Sequence, residues 1–237
     1  MSLQKGFFRV QSSNPNLPPE EWTEFYINTT AGAYQTSLPW GKYKIVISGG
    51  GGGGAACGWN TPHGTRYAEN GYNGEEQTIY VNVYINDVLG ISGTVGAGGE
   101  GGYARTEREN INHGGYGGTG YQNGADGSNQ LTTTPQLPNP YTENASASGG
   151  GGGGSTSIEW NSTVQEVAAG GNGGTARQSY YSIWGYGGTG ASGGTTTGTG
   201  ASGGAGASSL TNNQLIGGTG TNGYIKIYQS NLKPEPL

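Results

Sequence analysis

The chain has 237 residues, 52 of them glycine, with only 11% charged residues and a formal net charge of −5. Ten Lys and Arg against 15 Asp and Glu, with no basic cluster, exclude an ordinary nucleic-acid or anionic-membrane partner. Sixteen Tyr and five Trp at so low a charge are not the composition of a disordered chain, so a folded protein without an ordinary hydrophobic core is expected.

The opening MSLQKGFFRVQ has no apolar stretch of signal-peptide length, and no run of about 18 apolar residues follows anywhere. Neither secretion nor membrane insertion is expected. Alternation of β-branched and aromatic residues predicts strands at 6–11, 23–29 and 42–48. The third runs directly into Ser48 and six glycines, 49–54. Cys57, the single cysteine, cannot form an internal disulfide and reads as a small residue beside that tract. The clearest strand is 77–85, where Ile79, Val81, Val83 and Ile85 share a face. Asn86-Asp87 then predicts a hairpin turn into a strand at 88–95. Further strands are predicted at 157–160 and 224–228. The best helical candidate is short, at 161–169.

Between these strands the sequence repeats itself. SGGGGGG stands at 48–54 and 148–154, GYGGTG at 115–120 and 185–190, TGASGG at 189–194 and 199–204. Small residues recur every third position at 185, 188, 191, 194, 197, 200, 203, 206 and 209, and again at 93, 96, 99 and 102. Period three is the repeat of a polyproline-II-type helix, which has no internal hydrogen bonds and must pair its backbone with neighbours. At about 3.1 Å per residue the segment 185–209 would span about 78 Å, against a radius of gyration of about 18 Å for a compact chain of this length. It is expected to fold back near Thr195-Thr196-Thr197. The expected fold is therefore mainly β: a small β-structure packed with a bundle of polyglycine-II helices and little or no α-helix. Residues 1–39 read as a β-rich lead-in or attachment segment, 40–230 as the glycine-rich domain and 231–237 as a tail.

GKYKIVISGGGGGGAA at 41–56, with the closing strand GTNGYIKIY at 220–228, resembles the glycine-rich domains of tailed-bacteriophage tail fibres and receptor-binding adhesins. It is also similar in style to the glycine-rich extracellular domain of the anaplastic lymphoma kinase family. The phage resemblance covers roughly 38–230 and implies a virion protein, assembled in the host cytoplasm, whose loops recognise a host surface. The partners it implies are a bacterial cell-surface glycan or outer-membrane protein, together with other virion proteins.

Aromatic residues mixed with Asn, Ser, Thr and Gly interrupt the tracts, which is the composition of recognition loops. Trp59, Tyr67, Tyr72, Tyr116, Tyr121 and Trp184 are the candidate receptor-binding residues. The insert 125–147, with Pro135, Pro138 and Pro140, reads as an exposed loop. His63 and His113 have no neighbour at metal-ligand spacing, and the pairs Glu75/Glu76 and Glu107/Glu109 read as solvated charge. No cofactor, metal or catalytic residue is expected. A non-enzymatic adhesin is the first reading, a structural virion or surface-layer component the second, and a polysaccharide-active enzyme the third.

Overall fold

The computed structural model describes residues 18–59, 66–105, 113–135, 142–178, 183–209 and 214–234. The chain is mainly β. Strands numbered in chain order fall into a base and a tip. The base holds β1 (Trp22–Asn28), β2 (Gly32–Leu38), β3 (Gly41–Ser48), β6 (Glu76–Val83), β7 (Leu89–Val95), β11 (Thr156–Trp160), β12 (Thr163–Ala168) and β17 (Tyr224–Ser230). The tip holds β4 (Ala56–Trp59), β5 (Arg66–Ala68), β8 (Tyr103–Arg105), β9 (Asn129–Pro135), β10 (Thr142–Ser148), β13 (Ala176–Gln178), β14 (Ile183–Gly185), β15 (Ala207–Ser209) and β16 (Gln214–Ile216).

Two four-stranded antiparallel sheets make the base, in the orders β1-β17-β3-β6 and β12-β11-β7-β2. Alternation of apolar and polar residues drives their packing: Tyr43, Ile45, Ile47, Ile225 and Ile227 of the first sheet meet Tyr34, Leu38, Ile91, Val95 and Ile158 of the second in one buried core. The Tyr34 hydroxyl reaches over β7 within its own sheet to donate to the Ser157 carbonyl at 2.9 Å, and Gly93 leaves the room it needs. Burial pushes the Tyr34 phenol well above its ordinary pKa. The closing strand β17 lies between β1 and β3, so both ends of the described chain meet in one sheet.

Five predicted strands, 23–29, 42–48, 88–95, 157–160 and 224–228, correspond to β1, β3, β7, β11 and β17, and 77–85 corresponds to β6. The one at 6–11 lies outside the described residues. Four expectations are corrected. An ordinary hydrophobic core is present, between the two base sheets. The insert 125–147 is not an exposed loop, because its residues 129–135 and 142–148 pair as β9 and β10. The helical candidate 161–169 is β12, because Asn161 and Ser162 take positive φ and turn the chain back so that Thr163–Ala168 pairs with β11. The 77–95 hairpin is not one: Asn86 does turn the chain, with the Asp87 N–H bonded to the Tyr84 carbonyl at 3.0 Å, but β6 pairs with β3 while β7 pairs with β11 and β2. That turn passes the chain from one sheet to the other. Fold-back of the 185–209 segment occurs at Ala191–Gly193, with Ser192, Gly193 and Gly194 at positive φ, just before the predicted threonines.

Between base and tip run ten extended segments that belong to no sheet: 49–55, 69–75, 96–102, 114–120, 122–128, 149–155, 169–175, 186–191, 200–206 and 217–223. Their hydrogen bonds repeat every three residues. In 49–55 the N–H groups of Gly50 and Gly53 donate to Gly154 and Gly151, those of Gly51 and Gly54 to Thr221 and Gly218, and those of Gly52 and Ala55 to Tyr72 and Glu69, at 2.8–3.0 Å. All three acceptor segments run antiparallel to it. Three parallel segments donate into its carbonyls: Gly99 to Gly51, Gly171 to Gly50 and Gly204 to Gly52. Segment 149–155 is bonded in the same manner to six neighbours, and the remaining eight form a closed ring around these two, each bonded to the next. A Cβ at Gly50, Gly51, Gly52, Gly53 or Gly54 would overlap a carbonyl oxygen of a neighbouring segment, which is why glycine occupies the two central positions.

On the perimeter, where no further segment supplies a carbonyl, side chains supply the acceptor. Asn70 and Asn73 Oδ1 accept from Gly206 and Gly203, and Asn123 and Asp126 Oδ1 accept from Gly120 and Gly117. The Asx residues sit three apart because the segments repeat in three.

Candidate functional site

Layers of the bundle continue into the tip. Segments 200–206, 49–55, 149–155 and 122–128 lead to or from the middle sheet β15-β4-β10-β9. Segments 186–191, 169–175 and 69–75 end in an outer sheet, β14-β13-β5. On the other side β16-β8 is extended by a bridge between Tyr103 and His113. The layers meet through small side chains, Ala55, Cys57, Ala147 and Ala176, with Ala68, on one side, and through Ala56 and Ala104 with the larger Leu215 on the other. Cys57 is fully buried there, its thiol bonded to the Arg177 carbonyl at 3.5 Å, and burial pushes it up to about 11.

With alanine facing inward, alternation forces the large side chains of these short strands outward. On β14-β13-β5 the paired residues Trp184, Arg177 and Tyr67 form a row across the sheet. The Arg177 guanidinium lies over the Trp184 ring at 4.6 Å. Tyr186 lies parallel to Trp184, within 5°, with ring centroids 6.1 Å apart. At that separation the two rings are offset rather than in full face contact, and Trp184 is half-buried with Arg177 over one of its faces. Tyr67 is 55% and Tyr186 60% exposed, and Arg177 is exposed beside them. From Tyr67 a shallow groove of about 370 Å³ runs along the segment 69–75, lined by Tyr67, Glu69, Asn70 and Tyr72. The Glu69 carboxylate beside the Tyr67 hydroxyl raises the phenol's pKa, and its Oε2 also accepts the Thr175 N–H at 3.1 Å.

Three of the six candidates, Tyr67, Tyr72 and Trp184, thus gather on one outer layer. Tyr116 lies on the opposite layer, in a stack of Tyr103, His113 and Tyr116 with centroids 5.5 and 5.4 Å apart. Tyr121 lies at the base end of the bundle, where its N–H bonds to Ser155, and belongs to neither group. Trp59 ends β4 in the middle sheet. Arg177 was missed by sequence reasoning, although a signal existed. From residue 18 to 234 the lysines are 42, 44, 226 and 233 and the arginines are 66, 105, 108 and 177. All four lysines belong to the base, whereas Arg66, Arg105 and Arg177 stand on tip strands.

Among the described residues no three of His, Cys, Asp and Glu lie close enough to hold a metal, and no helix is long and apolar enough to cross a membrane. No family model matches the chain, and no curated protein matches it.

Proposed function

We propose that the chain is a non-enzymatic virion adhesin or tail-fibre tip module that binds a host cell-surface receptor, with its ten extended segments acting as a rigid bundle of polyglycine-II helices. The helical reading is supported by the three-residue hydrogen-bond repeat and by Gly190, whose φ of −63° and ψ of 154° match the polyproline-II well. Only Gly32, Gly193 and Gly194 among the described glycines take positive φ, so the segments share one hand. Torsions near −75° and +145° for 50–54 and 150–154 in solution support it; the −120° or lower of a strand contradicts it.

The observation that carries the binding reading is the group Tyr67, Arg177 and Tyr186, all exposed, around the half-buried Trp184 on the outer tip layer. A lattice of glycines has no side chains with which to discriminate a ligand, so recognition falls to the segments that interrupt it. Rigid aromatics and arginine are the residue types that most often dominate binding, at about 2 kcal/mol or more each. The test is attachment of labelled protein to intact bacterial cells. Trp184→Ala is expected to abolish attachment at an unchanged melting temperature; undiminished attachment contradicts the reading.

A structural role in a virion is favoured by one separate observation at the base. Trp40, Ile85 and Val88 are exposed there, at 38%, 60% and 69%, on turns at the end away from the tip strands. This base is the surface through which other virion proteins would hold the module.

A further inference from the structure

We infer that the outer tip row is a binding site for an anionic sugar, in which Trp184 and Tyr186 stack against a pyranose ring and the Arg177 guanidinium takes its carboxylate or phosphate group. This rests on the receptor-binding reading and adds the ligand class and the residue that selects it.

Chemical matching between the side chains and such a ligand is direct. Pyranose rings present flat C–H faces that pack on aromatic faces, and Trp184 and Tyr186 stand side by side with nearly parallel rings, Tyr186 being exposed. The Arg177 guanidinium sits over the Trp184 ring, 4.6 Å from its centroid, and this contact keeps it beside the two rings. A guanidinium fixed by stacking is already oriented for a bidentate bond to a carboxylate or phosphate, which a lysine ammonium does not reproduce. No ion pair to Arg177 occurs among the described residues, where the one salt bridge is Lys42–Glu20 at the base.

The distribution of cation types agrees. Base lysines are used within the fold: Lys44 lies over Trp22 and Tyr228, Lys226 over Tyr224 and Lys233 over Trp40. Among the described residues arginine stands only on tip strands, as Arg66, Arg105 and Arg177. Glu69, two residues along the chain from Tyr67 and lining the adjoining groove, limits the site by repelling an anion placed there, so the acidic group is held at the Trp184 side of Tyr67. A sugar hydroxyl meets Tyr67, Glu69 and Asn70 in the adjoining groove.

The experiment titrates the full chain with methyl β-glucuronide, glucose 6-phosphate and methyl β-glucoside. It follows the Arg177 Nε–H and Trp184 indole N–H signals by NMR. Binding of either anionic sugar at both signals, roughly tenfold tighter than the neutral glucoside, supports the inference, and the sugar that binds tells carboxylate from phosphate. Arg177→Lys is expected to keep only part of that tenfold and Arg177→Gln none of it, with unchanged melting temperatures. Equal affinity for the three sugars, or unchanged affinity in Arg177→Gln, overturns it. Cell attachment measured in parallel separates the two levels. Wild type and Arg177→Gln attaching equally to cells overturns the anionic-sugar site while receptor binding stands. Wild type attaching to no cell overturns the receptor reading itself.

Discussion

Glycine at a given position in this chain either has no alternative or is incidental, and the difference lies in what a Cβ would meet. At Gly52 it would overlap the Asn172 carbonyl, a backbone atom of a bonded neighbour that cannot turn aside. Gly52→Ala is therefore expected to cost about 3 kcal/mol or more, as overpacking and lost backbone pairing combine. At Gly90 on β7 nothing lies within 4 Å, and Gly90→Ala is expected to be neutral or to stabilise by a few tenths to about 1 kcal/mol. Thermal unfolding of the two variants checks the pair; equal small effects would contradict the packing described. Cys57 gives a second residue-level test. Below its ordinary value of 9.0 the thiol is neutral in both states and adds no pH dependence. Above it the unfolded chain ionises while the buried thiol resists up to about 11, so stability falls across that window by as much as ~2.7 kcal/mol. Wild type is expected to lose its advantage over Cys57→Ala between pH 9 and 11. A gap independent of pH would contradict the burial.

Elements that carry their own apolar alternation were legible in the sequence, and those that depend on neighbours were not. Strands β3 and β17 place Ile45, Ile47, Ile225 and Ile227 on one face, and that period declares itself. Strands β13, β14, β15 and β16 are three residues each, too short for an alternation to mark them. Pairing of β6 with β3 rather than β7 was hidden for another reason: a turn signal fixes where the chain bends, not which strand it meets next. The Asx-Gly repeats were in view without their role, because their acceptor function exists only once a perimeter N–H lacks a neighbouring carbonyl. Asn73→Asp is expected to leave stability nearly unchanged, since Asp126 performs the same task for Gly117. Asn73→Leu is expected to cost about 1 kcal/mol. Similar melting for the Leu and Asp variants would contradict the side-chain cap. Removal of β17 by truncation after Asn222 is expected to abolish folding, because that strand lies between β1 and β3. A folded truncated protein would contradict the closed base.

At the scale of the whole molecule, a conventional two-sheet core at the base anchors a bundle whose interior is backbone alone, and the bundle holds a tip with alanine-sized packing and large outward side chains. The period of three foretold segments that need neighbours. It did not foretell two central segments ringed by eight, which follows from interior donors and acceptors each finding a partner. Nor did it sort the aromatics by end: Tyr67, Tyr72 and Trp184 converge on one layer only because the bundle brings 69–75, 169–175 and 186–191 side by side. Rigidity of that bundle is what the proposed binding surface requires of a glycine-rich sequence. Native-state amide hydrogen exchange at 50–54 and 150–154 tests this most directly. Exchange as slow as that of Ile45, Ile225 and Ile227 is expected, because these amides open only when the whole molecule does. Exchange at the rate of a flexible glycine linker would contradict the lattice, and with it the surface built upon it.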